Sequence, residues 1–318
     1  MKYSDHREMN KKELAPICLF TYNRLNETIK TIEALQDNFL AVESDLYIYS
    51  DGGKTAKDKE KVQKVRNYLH SISGFKSVVI RESSINRGLA NSVISGVSEI
   101  LELNETVIVL EDDLVTSSNF LDFSNHALTF YEKDHAIFSI SGYTLDLPSL
   151  PGKKDYYFGY RASSWGWSIW RDRWKLIDWD VTEYDNFMKN KKLVKEFKRG
   201  GSDLPRMLKN QNNGVIDSWA VRFCFHQFRN NLMTVFPTKS KLISIGFSNE
   251  ATNTIGSKRF HTTLDKENKR NYIFAKFEDI DQTIAYEFAA KFSVKSRIYN
   301  QLSKKLKLCK RNFLKVKA

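Results

Sequence analysis

Short apolar runs alternate with amphipathic stretches along the first half of the chain. Five runs have the length and composition of buried strands: residues 17–22, 46–50, 77–81, 107–110 and 137–141. The stretches between them carry apolar side chains at helical spacing, as at Ile29, Ile32, Leu35 and Phe39. Alternation of strands and helices predicts a parallel sheet covered by helices, in a doubly wound arrangement.

The second half of the chain differs from the first in amino-acid composition. Aromatic residues dominate from about 156, and four tryptophans fall between 165 and 174. Strand-like pieces at 232–236 and 242–245 are expected to extend the sheet or to line a cleft. We therefore predict an α/β fold with a mixed, mainly parallel sheet. Its expected divisions are a polar segment at 1–14, one domain at 15–265 with halves 15–141 and 142–265, and a basic helical tail at 266–318.

Composition is that of a folded protein without a disulfide framework. The 318 residues are 41% apolar and include only 5 Pro and 14 Gly, which is typical of a globular chain. Cys18, Cys224 and Cys309 lie far apart and form no CxxC pair, so neither disulfides nor a zinc cluster is indicated. The polar first residues lack the apolar core of a signal peptide, and no apolar run is long enough to span a bilayer. We expect a cytoplasmic protein.

Positive charge is concentrated at the end of the chain. The formal net charge is +12, and residues 288–318 contain ten Lys or Arg and no Asp or Glu, so the body is nearly neutral. Apolar residues are spaced among the basic ones in this segment, at Leu302, Leu306, Leu308 and Phe313. This pattern predicts an amphipathic helix on an anionic membrane. A solvated basic tail is the alternative. Nucleic acid is a disfavoured partner, because no basic groove is indicated outside the tail.

Three acidic residues, Glu111, Asp112 and Asp113, directly follow the run VIVL. In open α/β sheets, ligands bind beyond the carboxyl ends of the strands. Adjacent carboxylates repel one another unless a cation neutralises them. Mg²⁺ or Mn²⁺ suits such oxygen ligands and can bridge two phosphates while using only one or two protein side chains. An exposed helix start, where acidic residues favour the helix dipole, is the alternative.

The order of four segments, FTYNR, YSDGG, NRGLANSVISG and VLEDDL, resembles the GT-A glycosyltransferases over roughly residues 15–250. VLEDDLVTSSNF is especially similar to the N-acetylglucosaminyltransferase I type, and the chain also resembles bacterial surface-polysaccharide sugar transferases. The resemblance implies that the triplet is a variant of the DxD motif. Asp113 would bind the metal that holds the donor diphosphate, Asp112 would face the ribose, and Glu111 the transferred sugar.

The same resemblance implies a site for the nucleotide. Thr21, Asn23, Arg24 and Asp51 would hold the uridine, and Arg87 would lie near the phosphates. Asp51 could instead belong to a plain Asp-Gly-Gly turn, and Arg24 could be a solvated charge at a helix start.

Asp217, in GVIDSWAVRF, matches the family's catalytic Asp-Trp segment. A carboxylate there could take the proton of an acceptor hydroxyl. The chain has Asp-Ser-Trp where the compared family member has Asp-Asp-Trp, and a helix N-cap is the alternative role.

Further candidates come from the aromatic stretch and from one histidine. Trp165, Gly166 and Trp167 resemble the segment that flanks the donor and acceptor sugars, although core packing is the alternative for all and the favoured role for Trp170 and Trp174. His261 resembles a late histidine that some members use as a second metal ligand, but a lone histidine is more often a surface or packing residue. His226 is expected to be structural.

Together these features predict an inverting glycosyltransferase that uses Mn²⁺ or Mg²⁺ and a UDP-sugar, with an N-acetylhexosamine as the transferred sugar. The expected acceptor is a lipid-linked oligosaccharide in surface-polysaccharide synthesis, at the inner face of the cell membrane. The alternatives are a sugar-nucleotide nucleotidyltransferase and a basic nucleic-acid-binding protein. A nucleotidyltransferase would need a glycine-rich phosphate loop near the N-terminus, and FTYNRLNETIK contains no glycine.

Overall fold

The computed structural model describes residues 13–246 and 258–299. Its strands are β1 (Ile17–Thr21), β2 (Asp45–Ser50), β3 (Ser77–Glu82), β4 (Thr106–Glu111), β5 (Leu114–Thr116), β6 (Ile137–Ser141), β7 (Tyr156–Gly159), β8 (Trp167–Trp170), β9 (Met233–Pro237) and β10 (Leu242–Ser244). Its helices are α1 (Leu25–Gln36), α2 (Ala56–Leu69), α3 (Leu89–Leu103), α4 (Phe120–Phe130), α5 (Arg171–Lys175), α6 (Tyr184–Lys189), α7 (Lys191–Phe197), α8 (Leu204–Asn212), α9 (Trp219–Arg229) and α10 (Gln282–Lys291).

Eight strands form one mixed sheet in the order β3-β2-β1-β4-β8-β6-β9-β7. β1 to β4 are mutually parallel, as are β6 and β9. β8 runs antiparallel to both of its neighbours, and β7 runs antiparallel to β9. The predicted α/β class with a mainly parallel sheet is confirmed.

Apolar side chains cover both faces of the sheet, which explains why its central strands are continuous apolar runs. Along β1, Ile17 and Leu19 point to one face, where α1, α2 and α4 pack. Cys18 and Phe20 point to the other face, where α3 and α9 pack. Cys18 is therefore a buried free thiol in the core, and Cys224 is another.

Three strands were not predicted, and all belong to less regular parts of the chain. β5 has only three residues, and β7 and β8 have four each. β8 lies within the tryptophan-rich stretch and inserts between β4 and β6, so the parallel order is broken there. α1 ends at Gln36, so Phe39 does not continue its apolar face as predicted and is 37% exposed.

The segment after β10 packs against the body. The predicted tail helix beginning at 266 is wrong in its start, because residues 266–281 form neither helix nor strand and α10 begins only at Gln282. Aromatic residues hold this segment down: Tyr272 lies 5.1 Å from Phe123 and Phe277 lies 5.0 Å from Phe158, measured between ring centroids. Most of the predicted basic helix lies outside the described residues. Within them, no helix is both long and apolar enough to cross a bilayer.

A buried ion pair fixes this segment next to the sheet. Lys241 Nζ contacts Asp265 Oδ2, and the two side chains are only 5% and 1% exposed. Asp265 also accepts hydrogen bonds from Asn119 Nδ2 (3.1 Å) and from the Glu267 amide (2.9 Å). Lys241 lies one residue before β10, and β10 leads the chain to the site described below.

Replacing Lys241 by methionine is expected to lower the free energy of unfolding by about 3–5 kcal/mol, because it leaves the Asp265 carboxylate buried without its cation. Urea denaturation at neutral pH measures this loss. Lys239→Met is the matched control: its partner is Glu267, and both of those side chains are about half exposed, so a loss of about 0–1 kcal/mol is expected. Equal losses in the two variants would contradict a stabilising role for the buried pair.

Candidate active site

The candidate site lies where the order of the strands reverses. The chain builds β1, β2 and β3 toward one edge of the sheet and then returns to place β4 on the other side of β1. The loops after β1 and β4 therefore leave the carboxyl ends of two neighbouring parallel strands at this point and border one crevice position of the kind expected for a doubly wound sheet. Such switch points are where ligands bind in open α/β sheets.

Arg24 connects the two sides of this crevice. From the loop after β1, its Nη1 donates to Asp113 Oδ2 at 3.0 Å, and its Nη2 donates to Asp112 Oδ1. The Tyr22 amide donates to the second oxygen of Asp112 at 3.2 Å. The acidic residues after β4 are thus neutralised in part by one guanidinium. This makes Arg24 more than a solvated charge at the start of α1.

Ionisation of the triplet is perturbed by its surroundings. Desolvation raises the pKa of Glu111 to about 8, with further contributions from the charges of Asp113 and Asp112. Desolvation also raises the pKa of Asp112 to about 6, although Arg24 opposes the shift. Burial by itself would lower the pKa of Arg24, but the charges of Asp112 and Asp113 outweigh that effect and the pKa is raised. The triplet therefore lacks enough positive charge to be fully ionised at neutral pH.

A divalent cation such as Mn²⁺ or Mg²⁺, if held by the triplet, would therefore bind more strongly as the pH rises. Below about pH 8 Glu111 holds a proton, and below about pH 6 Asp112 also holds one. Because a bound cation favours the ionised carboxylates, these protons must be released when it binds. Affinity should fall by about tenfold for each pH unit over which one proton must be displaced. Calorimetry between pH 5.5 and 8.5, in buffers of different ionisation enthalpy, measures both affinity and proton release. A metal affinity that stays constant over this pH range, without release of protons, would contradict this prediction.

Asp51, predicted to hold the uridine, organises the neighbouring loop. Its Oδ1 accepts from the amides of Gly52 and Arg87, both at 2.8 Å. Its Oδ2 accepts from Asn86 Nδ2 at 3.1 Å and from the Gly88 amide at 3.0 Å. The carboxylate therefore joins the end of β2 to the loop between β3 and α3, a more specific role than that of a plain turn residue.

The other predicted nucleotide residues lie along the same edge. Thr21 is buried at the end of β1, and Asn23 Nδ2 donates to Asp58 Oδ1 at 2.9 Å, at the start of α2. Arg87 is exposed, and its guanidinium makes no ion pair with any described residue. The structure thus brings the loops after β1, β2, β3 and β4 to one rim, where the Arg87 side chain is exposed.

Trp165, Gly166 and Trp167 have three different environments. Trp165 is partly exposed and packs edge-on against Tyr143, with ring centroids 4.7 Å apart. Gly166 has φ of 52°, and a Cβ there would lie 1.9 Å from Leu242 Cδ2, so the position requires glycine. Trp167 is 1% exposed and packs on Trp219 in the core.

Trp167 therefore cannot contact a donor sugar with its ring, and that prediction is wrong for this residue. The cause is the alternation of β8: Trp167 and Ile169 face the core formed with α3 and α9, whereas Trp170 faces the opposite side of the sheet. Core packing of Trp170 and Trp174, each 3% exposed, is confirmed. His226 is also structural, since its ring lies 5.4 Å from that of Phe138.

Asp217 lies at the rim of the site. Its side chain is 57% exposed, and it forms an ion pair with Arg222 Nη2 at 3.3 Å. A Cβ built on Gly88 would lie 4.0 Å from its Oδ2, so Asp217 is a neighbour of the loop that Asp51 organises. The N-cap of α9 is Ser218, whose Oγ accepts from the Val221 amide. Asp217 is thus not the N-cap and keeps its carboxylate free of that role.

The donor atoms at the triplet fit a hard divalent cation that keeps most of its other ligands. Asp113 is 16% exposed, and only its Oδ2 is engaged by Arg24. In the described part of the chain, no group of three or more His, Cys, Asp or Glu side chains is arranged as a metal cage. A cation held by one or two carboxylates, with phosphate and water completing its shell, suits this arrangement. His261 is exposed and joins no such group, so its role as a ligand stays a prediction.

Two residues with evident positioning roles were missed by sequence reasoning. Arg66 on α2 donates to the carbonyl oxygens of Ser50 and Ser83, at 3.2 and 2.7 Å, and so ties the ends of β2 and β3 together. Gly246 lies so close to Asp113 that a Cβ would fall 1.8 Å from its Oδ2. Neither has a local sequence signal, because each acts through contacts with distant parts of the chain.

Comparison with known proteins gives structural likenesses only. No family model matches the chain, and no curated protein matches it. Among solved structures, a mannosyltransferase from Pyrobaculum calidifontis, PcManGT, in complex with GDP-Man and Mn²⁺, is 13% identical over 44% of this chain and 41% of its own, with a TM-score of 0.30. S. aureus TarS is 12% identical over 70% of this chain and 36% of its own, with a TM-score of 0.38.

A second structure of S. aureus TarS, residues 1–349 in complex with UDP, is 13% identical over 72% of this chain and 59% of its own, with a TM-score of 0.41. The chain thus spans between 36% and 59% of the lengths of these three structures. At such identities and TM-scores a likeness assigns no activity.

Proposed function

We propose that the chain is a metal-dependent, inverting glycosyltransferase that moves a sugar, an N-acetylhexosamine, from a UDP-sugar to an acceptor hydroxyl. One observation carries the proposal: three consecutive carboxylates lie at the carboxyl end of the central strand β4, at the switch point of the sheet, where Arg24 from the loop after β1 bridges Asp112 and Asp113. The order of the four sequence segments that resemble GT-A enzymes supports the same reading.

The triplet and its surroundings supply the donor side of the reaction. Mn²⁺ or Mg²⁺, held by Asp113, would offset the negative charge of the leaving diphosphate. Arg24 contributes a fixed positive charge next to that position, and the lack of a side chain at Gly246 lets its backbone lie directly against Asp113. The loop organised by Asp51 would border the uridine, and the exposed guanidinium of Arg87 would lie on the phosphate side.

Asp217 supplies the acceptor side. Its carboxylate would accept the proton of the acceptor hydroxyl while that oxygen forms a bond to the anomeric carbon and the bond from that carbon to the diphosphate breaks. UDP leaves from the opposite face, so a single displacement inverts the anomeric configuration. The exposure of Asp217 and its position beside Gly88 support this role.

Calorimetric titration of UDP in the presence of Mn²⁺, repeated with EDTA, tests the proposed function without knowledge of the acceptor. UDP should bind with Mn²⁺ and bind much more weakly with EDTA. A UDP-sugar hydrolysis assay would then rank the donor sugars, with UDP-N-acetylhexosamines expected first. Absence of UDP binding in both conditions would exclude a UDP-sugar donor.

An anionic membrane surface is the proposed location of the acceptor, a lipid-linked oligosaccharide. Large apolar side chains near the end of the described chain are exposed: Tyr286, Val294, Ile298 and Tyr299. Lys291, Lys295 and Arg297 lie among them, and residues 300–318 add seven Lys or Arg without an acidic residue. Basic charge combined with exposed apolar side chains favours binding to anionic lipid.

The protein is expected to bind vesicles that contain phosphatidylglycerol and not vesicles of phosphatidylcholine alone. Removal of residues 300–318 should abolish most of this binding, because each Lys or Arg near such a surface contributes about 1 kcal/mol. Vesicle co-sedimentation measures it, and retained UDP binding shows that the truncated protein is folded. Binding to RNA that is lost in the same truncation, without vesicle binding, would contradict the membrane proposal.

A further inference from the structure

A polar cleft lies between helices α8 and α9 and the loop that precedes α6. Its volume is about 200 Å³, equal to that of roughly seven waters in the liquid, which gives room for one sugar ring. The side chains that matter to its chemistry are those of Trp179, Asp180, Val181, Gln211, Asn212 and Arg222.

The cleft adjoins the candidate base. Arg222 lines it and donates from Nη2 to Asp217 Oδ1 at 3.3 Å. Gln211 also lines it, and its Oε1 accepts from the amide of Ser218, the residue after Asp217, at 2.5 Å. Two of its wall residues therefore touch the turn that carries Asp217. A ligand in the cleft would extend from the position at which Asp217 acts.

The walls offer the groups that recognise saccharides. The partly exposed ring of Trp179 is backed by Trp174, with ring centroids 4.8 Å apart, so it presents a supported apolar surface to the CH groups of a sugar. The amide of Asn212 and the carboxylate of Asp180 are exposed and make no side-chain hydrogen bond among the described residues. Both are suited to hydroxyl groups.

The charge of the cleft disfavours a phosphate ligand. Its one cation is Arg222, and that guanidinium is already engaged by Asp217 and by the carbonyl oxygens of Trp179 and Ser218, each at 3.3 Å. Burial lowers the pKa of Arg222, with Asp217 and Asp180 opposing the shift. A neutral, hydroxyl-rich ligand fits these walls better than an anion.

The loop that carries Trp179 and Asp180 is held in a costly conformation. Val181 has φ of 53°, a left-handed value that is strained for a β-branched residue. The Asp178 carboxylate stabilises the loop by accepting from the amides of Asp180 (3.0 Å) and Thr182 (2.7 Å). Such strain persists where a fixed geometry is needed, as at a binding site.

We propose that this cleft binds one sugar residue of a neutral saccharide acceptor, the unit that adjoins the sugar whose hydroxyl Asp217 deprotonates. The inference rests on the proposed function, since it takes Asp217 as the base. It assigns the acceptor class through Trp179, Asn212 and Asp180, and it makes no use of the basic tail.

An array of neutral oligosaccharides, probed with the protein in UDP and Mn²⁺, tests the inference. The wild type should bind at least one glycan. Asn212→Ala should weaken that binding about three- to tenfold, the loss of one or two neutral hydrogen bonds, and Trp179→Ala should weaken it further. Asn213→Ala, at the exposed end of α8 outside the cleft, is the matched control and should bind as the wild type does.

Asn212→Ala decides the result even if Trp179→Ala fails to fold, because Asn212 is exposed. Unchanged glycan binding in Asn212→Ala, or no glycan bound by the wild type, would overturn the inference. UDP affinity is measured on every variant and is expected to stay unchanged. If UDP binds and the cleft variants have no effect, only the cleft assignment fails, whereas absence of UDP binding removes the proposed function itself.

Discussion

Asp113→Ala is expected to abolish metal-dependent binding of UDP, with a loss of affinity of at least about 100-fold in Mn²⁺. Changes to outer-shell partners of a metal ligand already lower metal affinity about 10- to 100-fold, and Asp113 is the proposed ligand itself. The substitution also frees Arg24 Nη1 from its 3.0 Å contact with Asp113. Titration calorimetry with Mn²⁺ and with EDTA measures the effect, and the two curves of the variant should coincide.

Two further variants distinguish the loss of metal-dependent UDP binding from a general loss of folding. Asp113→Asn keeps the size of the side chain and a hydrogen-bond acceptor but removes the charge, so it should lose metal dependence to a similar extent. Glu99→Gln removes an exposed carboxylate on α3 whose ion-pair partner is Arg81 of β3, and this variant should bind UDP normally. Metal-dependent UDP binding that survives in both Asp113 variants would place the metal ligand elsewhere.

The parallel core of the fold was predictable because its strands are buried on both faces. β1 and β4 are short apolar runs, and burial on two sides leaves them no polar alternation to confuse with a helix. β2 differs, because Leu46 and Ile48 are buried while Tyr47 and Tyr49 on its other face are only partly buried. The helix that follows β1 was recognisable for the complementary reason: Ile32 and Leu35 recur at helical spacing and pack on the sheet. These signals are local, and the structure confirms them.

The position of β8 could not be predicted from the sequence. Its four residues, WSIW, lie in an aromatic stretch, and a strand of four residues has too few alternations to identify its period. Insertion between β4 and β6 depends on contacts with residues far away in the chain, as in the pairing of Val107 with Ile169. The same limit explains the error at Trp167, since the side of the sheet that a residue faces follows from this pairing.

Within the site, the sequence predicted which residues lie close together, but it did not predict which atoms each of them contacts. The triplet, Arg24 and Asp51 were all predicted at the carboxyl edge, and the structure places them there. The four hydrogen bonds accepted by Asp51 and the close approach of Gly246 to Asp113 depend on loop conformations that no local pattern encodes. The N-cap role, which was the alternative considered for Asp217, belongs to the next residue, Ser218, because both residue types are good cap formers.

Asp217→Asn is expected to lower kcat for sugar transfer by about 10²- to 10⁴-fold, the usual contribution of a positioned general base. The asparagine keeps the shape of the side chain and can still accept from Arg222, but it cannot take up the proton of the acceptor hydroxyl. UDP affinity in Mn²⁺ should stay unchanged, since the residue lies at the rim beside Gly88 and outside the triplet. Transfer assays with the donor found by screening, combined with UDP titration, measure both quantities.

The pattern of the kinetic change distinguishes a base from a residue that only orders the turn before α9. If Asp217 is the base, its replacement should lower kcat with little change in KM for the acceptor. If Asp217 only orders the turn, its replacement should change both acceptor binding and the stability of the fold. Asp185→Asn changes an exposed aspartate on α6 that has no ion pair among the described residues, and it should leave kcat at the wild-type value. A loss in Asp217→Asn that is confined to KM, with kcat retained, would assign Asp217 to acceptor binding and leave the proton acceptor to be found elsewhere on the rim.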